Sequence, residues 1–74
     1  MNSDQATEIL FLAEECEDGY VASAVGYGII AEARTLEELR LRVQNAVLRH
    51  FRSTEIPRFI RLSFVKEELI RVDV

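Results

Sequence analysis

Residues 17–47 read EDGYVASAVGYGIIAEARTLEELRLRVQNAV, and the punctuation of this stretch decides the fold. Asp18-Gly19 is a hairpin signal, because glycine takes positive φ without a steric penalty. The following residues 20–25 have the aromatic and β-branched content of a strand. Gly26 and Gly28 mark the next turn. Residues 29–34 alternate, with Ile29, Ala31 and Ala33 on one face and Glu32 and Arg34 on the other, which predicts a further strand. Thr35-Leu36-Glu37-Glu38 then fits a capping box, in which the threonine hydroxyl accepts from the third helical amide and Glu38 reaches back to the cap amide. A helix follows to about residue 51. Its apolar stripe is Leu36, Leu39, Val43, Ala46, Val47 and His50, at spacings of three and four. Glu37 and Glu38 at its start and Arg49 and Arg52 at its end complement the macrodipole, and Glu38 and Arg42 are spaced for an ion pair.

Working outward, residues 8–15 (EILFLAEE) predict a first strand, since Ile9 to Leu12 is an apolar run too short for a helix. Residues 1–7 are polar and are expected to fray. Pro57 prevents the helix from continuing. Residues 58–65 (RFIRLSFV) predict a fourth strand with Ile60, Leu62 and Phe64 on one face. After the polar break at 66–68, residues 69–74 have the content of a short fifth strand closing a terminal hairpin. The expected fold is α+β, a single domain over residues 1–74 in the order β-β-β-α-β. Its sheet is mostly antiparallel, with one helix across one face.

That layout leaves the second sheet face open, and an antiparallel strand with one wet face should alternate cleanly. Residues 9–12 do not, and Phe59, Ile60, Leu62, Phe64 and Val65 place apolar groups on both faces of the fourth strand. Leu41 and Leu48 stand off the main helix stripe, seven residues apart. A chain of 74 residues is near the lower size limit for a self-sufficient core. With one cysteine and one histidine it has no internal disulfide and too few ligands for a structural zinc site. Extra burial is therefore expected from self-association, as a homo-dimer or a higher even-numbered oligomer.

The formal net charge of −4 opposes direct binding to DNA, whose affinity comes from neutralising phosphates, and suits a basic partner. Arg40, Arg42, Arg49 and Arg52 diverge around the helix and are diluted by Glu37 and Glu38. No apolar run approaches a membrane span, and the polar, acidic start MNSDQATE is unlike a secretory signal. A cytoplasmic protein with a reduced thiol is the expectation.

Candidate chemistry is sparse. Glu14, Glu15, Glu17 and Asp18 form an acidic cluster around the first turn, without the ligand spacing of a calcium loop. The reading that fits is a solvated turn available to a basic partner. His50 has no nucleophile or orienting carboxylate beside it in sequence, which favours a packed or dipole-stabilising role over general-base work. Cys16 has acidic neighbours, so a half-buried structural thiol is expected rather than a nucleophile. Gly26-Tyr27-Gly28 lacks the lysine of a phosphate loop and the third glycine of a dinucleotide site. No catalytic residue, metal site or cofactor is expected.

The acidic-Gly-Tyr hairpin at Asp18-Gly19-Tyr20, the strand at 29–34 and the helix start at Thr35 to Glu38 together resemble the HicB-like antitoxin domain. The resemblance covers residues 8–51, and the tail IPRFIRLSFVKEELIRV resembles a compact subgroup of the same superfamily. It implies a partial RNase H-like fold and a non-enzymatic module that neutralises a small basic HicA-type RNase toxin. The alternative is a stand-alone structural or regulatory homo-oligomer of the same fold. Two features depart from the family. AVGYGI replaces the usual proline-rich loop ending in Gly-Cys. The DNA-binding segment that many HicB proteins carry after this domain is also not among these residues, so independent operator binding is not expected. No aspartate stands in the middle of ILFLA to hold a catalytic metal. The residues expected to meet a partner are Glu14, Glu15, Glu17 and Asp18, by charge, and Leu41 and Leu48, by apolar contact.

Overall fold

The computed structural model describes residues 8–66 and 68–73. Four strands and one helix follow in the order β1 (Glu8–Cys16), β2 (Gly19–Ala24), β3 (Ile30–Ala33), α1 (Leu36–His50) and β4 (Phe59–Phe64). The strands form one sheet in the spatial order β3-β2-β1-β4. This is the expected α+β architecture and element order.

Two tight connections make the antiparallel part. β1 and β2 pair from Phe11 opposite Ala24 to Cys16 opposite Gly19, so the two loop residues are Glu17 and Asp18. The sequence places the turn one residue later, at Asp18-Gly19. Neither loop residue has positive φ; Gly19, the first residue of β2, takes it instead at 147°. Between β2 and β3, Gly26 adopts φ of 86°, while the amide of Ala24 donates to Ile29 O at 2.9 Å. β2 and β3 then pair from Tyr20 opposite Ala33 to Ser23 opposite Ile30.

The helix determines the direction of the last strand. Thr35 has extended backbone angles, and its Oγ1 accepts from the amide of Glu38 at 3.1 Å. The carboxylate of Glu38 reaches back one residue further than a capping box requires, accepting from Arg34 N at 3.1 Å. Fifteen helical residues carry the chain back by about 22 Å, so β4 sets out from the end of the sheet where β3 began. It must therefore run parallel to β3, and hence to β1. β4 accordingly pairs with β1 in parallel, Ile9 beside Ile60 and Phe11 beside Leu62. Two of the three strand pairings are antiparallel, and the sheet is mixed.

Among the described residues, one face of the sheet is covered and the other is not. Ile9, Phe11 and Ala13 of β1, Ala22 and Ala24 of β2, and Ala31 of β3 are buried beneath Leu39, Val43 and Val47 of α1. The small alanine side chains leave room for the larger helical ones, and Phe11 and Leu39 are the largest side chains fully enclosed. Among the described residues no polar side-chain atom is buried without a hydrogen-bond partner. Among the described residues no helix is long and apolar enough to cross a membrane.

Three expectations need correction. Residues 68–73 form no strand. The connection that would have to turn them back is Val65-Lys66-Glu67, which supplies none of the Gly, Asn or Asp residues that tight hairpins use. Cys16 is exposed rather than half-buried, because the alternation of β1 turns it to the open face of the sheet, away from the helix. His50, the last residue of the helix, is exposed and extends the stripe past the buried core. Its ring meets Tyr27 at 5.8 Å and Phe51 at 4.9 Å, both edge-to-face. The expected fraying of residues 1–7 and the end of the proposed fifth strand at Val74 lie outside the described residues.

Candidate partner-binding surfaces

Strand pleating assigns the side chains to faces. With Ile9, Phe11 and Ala13 turned toward the helix, Glu8, Leu10, Leu12 and Glu14 point to the other side. The register carries this alternation across the sheet, adding Val21 and Ser23 from β2, Ile30 and Glu32 from β3, and Phe59, Arg61 and Ser63 from β4. Leu12, Ile30 and Phe59 are exposed there, and Leu10 and Val21 are partly so. The face is apolar in the middle, with carboxylates at Glu8, Glu14 and Glu32. Across strands β1 and β4, Arg61 donates to the Glu8 carboxylate through both Nε and Nη2. That bond holds the Glu8 carboxyl below the usual glutamate range.

The acidic turn lies at one end of the molecule. Glu15, Glu17 and Asp18 are exposed, and Glu14 is partly buried on the open face. Glu17 and Asp18 line a groove between β3 and α1, together with Glu32 and Glu38 and three arginines, Arg34, Arg42 and Arg49. Folding thus sets arginines along the same groove as the acidic turn, which the sequence order does not show. Glu38 is already engaged. Its carboxyl is held below the ordinary value by the Arg34 amide first, and then by Arg42 Nη2 at 3.1 Å.

The structure does not gather the six expected contact residues into one patch. Leu41 and Leu48 are exposed on the helix. Leu48 borders a second groove, between α1 and β4, whose other apolar walls include Val43, Val47, Ile56, Ile60 and Leu62, with Phe59 at its margin. Leu41 lines neither groove. The residues that the sequence reading did not name as contacts are Leu10, Leu12, Val21 and Ile30 on the open face. The signal for Leu10 and Leu12 was present in the unbroken apolar run of residues 9–12.

Among the described residues no group of three His, Cys, Asp or Glu side chains is placed to hold a metal ion. The fold and its surfaces define a small α+β domain with one helix-covered sheet face and one open, apolar, acid-rimmed face. The chain belongs to the UPF0150 family. It is 46% identical over 50 residues to a UPF0150 protein of Archaeoglobus fulgidus (strain ATCC 49558 / DSM 4304 / JCM 9628 / NBRC 100126 / VC-16), a match covering 68% of this chain and 76% of that one. No family model and no solved structure matches the chain.

Proposed function

We propose that this protein is a non-enzymatic binding module that occupies the RNA-binding surface of a small basic RNase toxin of HicA type. The observation that carries this reading is the open sheet face, with Leu12 exposed on a central strand, Ile30 and Phe59 exposed on the two edge strands, and the carboxylates of Glu14 and Glu32 on the same face. A surface that holds RNA must be basic. An apolar platform rimmed by carboxylates complements such a surface by charge and excludes RNA sterically. The acidic turn at Glu15, Glu17 and Asp18 extends the negative edge beyond the platform. The resemblance to the HicB-like domain points to the same kind of partner.

The test is co-expression of the tagged chain with a HicA-type RNase from the same genome. The toxin is expected to co-purify and growth to be rescued. Leu12→Glu with Ile30→Glu, on the open face, should abolish both without unfolding the domain, since neither side chain belongs to the core. Failure of the unmodified chain to bind or to rescue overturns the reading.

A further inference from the structure

Residues 68–73 leave the body of the domain. Leu69, Ile70 and Val72 are 101%, 75% and 82% exposed, the most exposed large apolar side chains among the described residues. The radius of gyration is 15.1 Å and the longest dimension 55 Å, whereas a compact chain of this length has a radius near 11 Å. The sequence ELIRVD alternates from residue 70 onward, with Ile70 and Val72 against Arg71 and Asp73, which is the pattern of a strand with one buried face. In the single copy neither face of it is buried.

The groove between α1 and β4 is the complement of this segment. Its floor and walls include Val43, Val47, Leu48, Ile56, Ile60 and Leu62. Beside it, β4 is an edge strand of the sheet, so one row of its backbone donors and acceptors is open to a further strand. Arg40 and Arg58 stand at the rim, and among the described residues neither makes an ion pair. Glu68 and Asp73 give the segment two carboxylates against the single charge of Arg71.

We propose that residues 68–73 of one copy add as an antiparallel strand to the free edge of β4 in a second copy, reciprocally, to form a two-fold dimer. The geometry is self-consistent. In a two-fold pair the two β4 strands run in opposite directions, so a segment that continues the course of its own β4 runs antiparallel to the partner's. Six residues lie along the six of β4. With a two-fold axis at Lys66, Ile70 falls opposite Leu62 and Val72 opposite Ile60, on the groove side. Asp73 falls opposite Phe59, next to Arg58. The same pairs would form within one chain if residues 65–67 made a tight hairpin. Those residues lack the turn chemistry for it, and exchange between copies satisfies the contacts without the turn. This inference does not depend on the toxin reading, because it rests on the free edge of β4 and the groove beside it and not on the charge or the partner of the open face.

Two measurements test it. By light scattering with size exclusion, the full chain of 8.5 kDa is expected at twice its mass at micromolar concentration. Ile70→Glu with Val72→Glu is expected at the single-chain mass with its helical circular dichroism retained. The second measurement uses Ile60→Cys and Val72→Cys together in a Cys16→Ser background under mild oxidation. A covalent dimer on a non-reducing gel is expected. A disulfide closed within one chain would show the hairpin instead and overturn the exchange. A monomeric full chain, or a dimer that survives both glutamate substitutions, overturns it equally. If the glutamate variant does not fold, the cysteine pair alone decides. A dimer with no toxin binding would reject the proposed function and leave the exchange standing.

Discussion

Gly19 sits against the backbone of Ala33 with no room for a side chain. A Cβ placed on Gly19 would lie 2.2 Å from Ala33 O and 2.8 Å from Arg34 Cα. The contact joins the first hairpin to the last residue of β3, just before the helix cap. Both clashing atoms are main chain, so neither can swing away. Gly19 also holds φ of 147°, a conformation that L side chains rarely adopt. Gly19→Ala is therefore expected to lower stability by about 1–3 kcal/mol from the backbone strain alone, with the clash adding to it. Urea denaturation measures this, and an unchanged midpoint would contradict the close approach. Gly28, where an added Cβ meets nothing within 4 Å, is the control and should tolerate alanine.

The helix start depends on Thr35. Its hydroxyl satisfies the Glu38 amide, one of the donors that a helix leaves without an internal partner. Thr35→Ala should cost about 1 kcal/mol. Thr35→Ser, which keeps the oxygen, should restore most of it. Equal midpoints for the alanine and native proteins would remove the cap from this account.

Leu39 is fully enclosed between the helix and the alanine-rich centre of the sheet. Leu39→Ala should destabilise the domain by about 2–5 kcal/mol, because the surrounding backbone cannot collapse into the space. For a chain of this size that is a large part of the total stability. The variant should be substantially unfolded at 37 °C, as read by the loss of amide protection. A well-protected variant would mean that the core is not where Leu39 places it.

Acid should weaken the fold through Glu8 and Glu38. Both carboxyls are held below the ordinary glutamate value of 4.5, Glu8 by its bond to Arg61 and Glu38 by the Arg34 amide and Arg42. A lowered carboxyl pKa contributes stability that is present above the unfolded value and is lost as the pH falls through the folded one. The melting temperature should therefore hold above pH 5 and decline below about pH 4.5. Glu8→Gln with Glu38→Gln should flatten the decline. Both groups are exposed, so salt should reduce their effect. An acid limb identical in the double variant would assign the decline to other groups.

In the proposed toxin complex, the acidic turn should act mainly on the rate of encounter. Glu17→Gln with Asp18→Asn should slow association at low salt and change little at high salt. Substitutions on the apolar face should instead speed dissociation. Stopped-flow association across a salt series separates the two. A salt-independent rate for the native pair would exclude steering by this turn.

The local chemistry of the chain was decided by its residues in order. Thr35 and Glu38 mark a helix start wherever they occur, because a cap is made by atoms three residues apart. Ile29, Ala31 and Ala33 specify one strand face because pleating has a fixed period of two. The element order followed from such short-range rules, and so did the excess of apolar groups for one sheet face. Tertiary structure decided what depends on contacts between distant residues. Whether β4 would lie beside β1 or β3 depended on the length and path of the helix across the sheet. The acidic turn came to share one groove with Arg34, Arg42 and Arg49 because β3 and α1 fold back on the side where it opens. Leu41 and Leu48 parted from the acidic residues because the helix carries them along its exposed side toward the other end. Residues 69–74 have strand composition, yet residues 68–73 are not a strand in one copy. Composition sets the preference of a segment for a partner edge, whereas the turn preceding it decides whether its own chain can supply that edge.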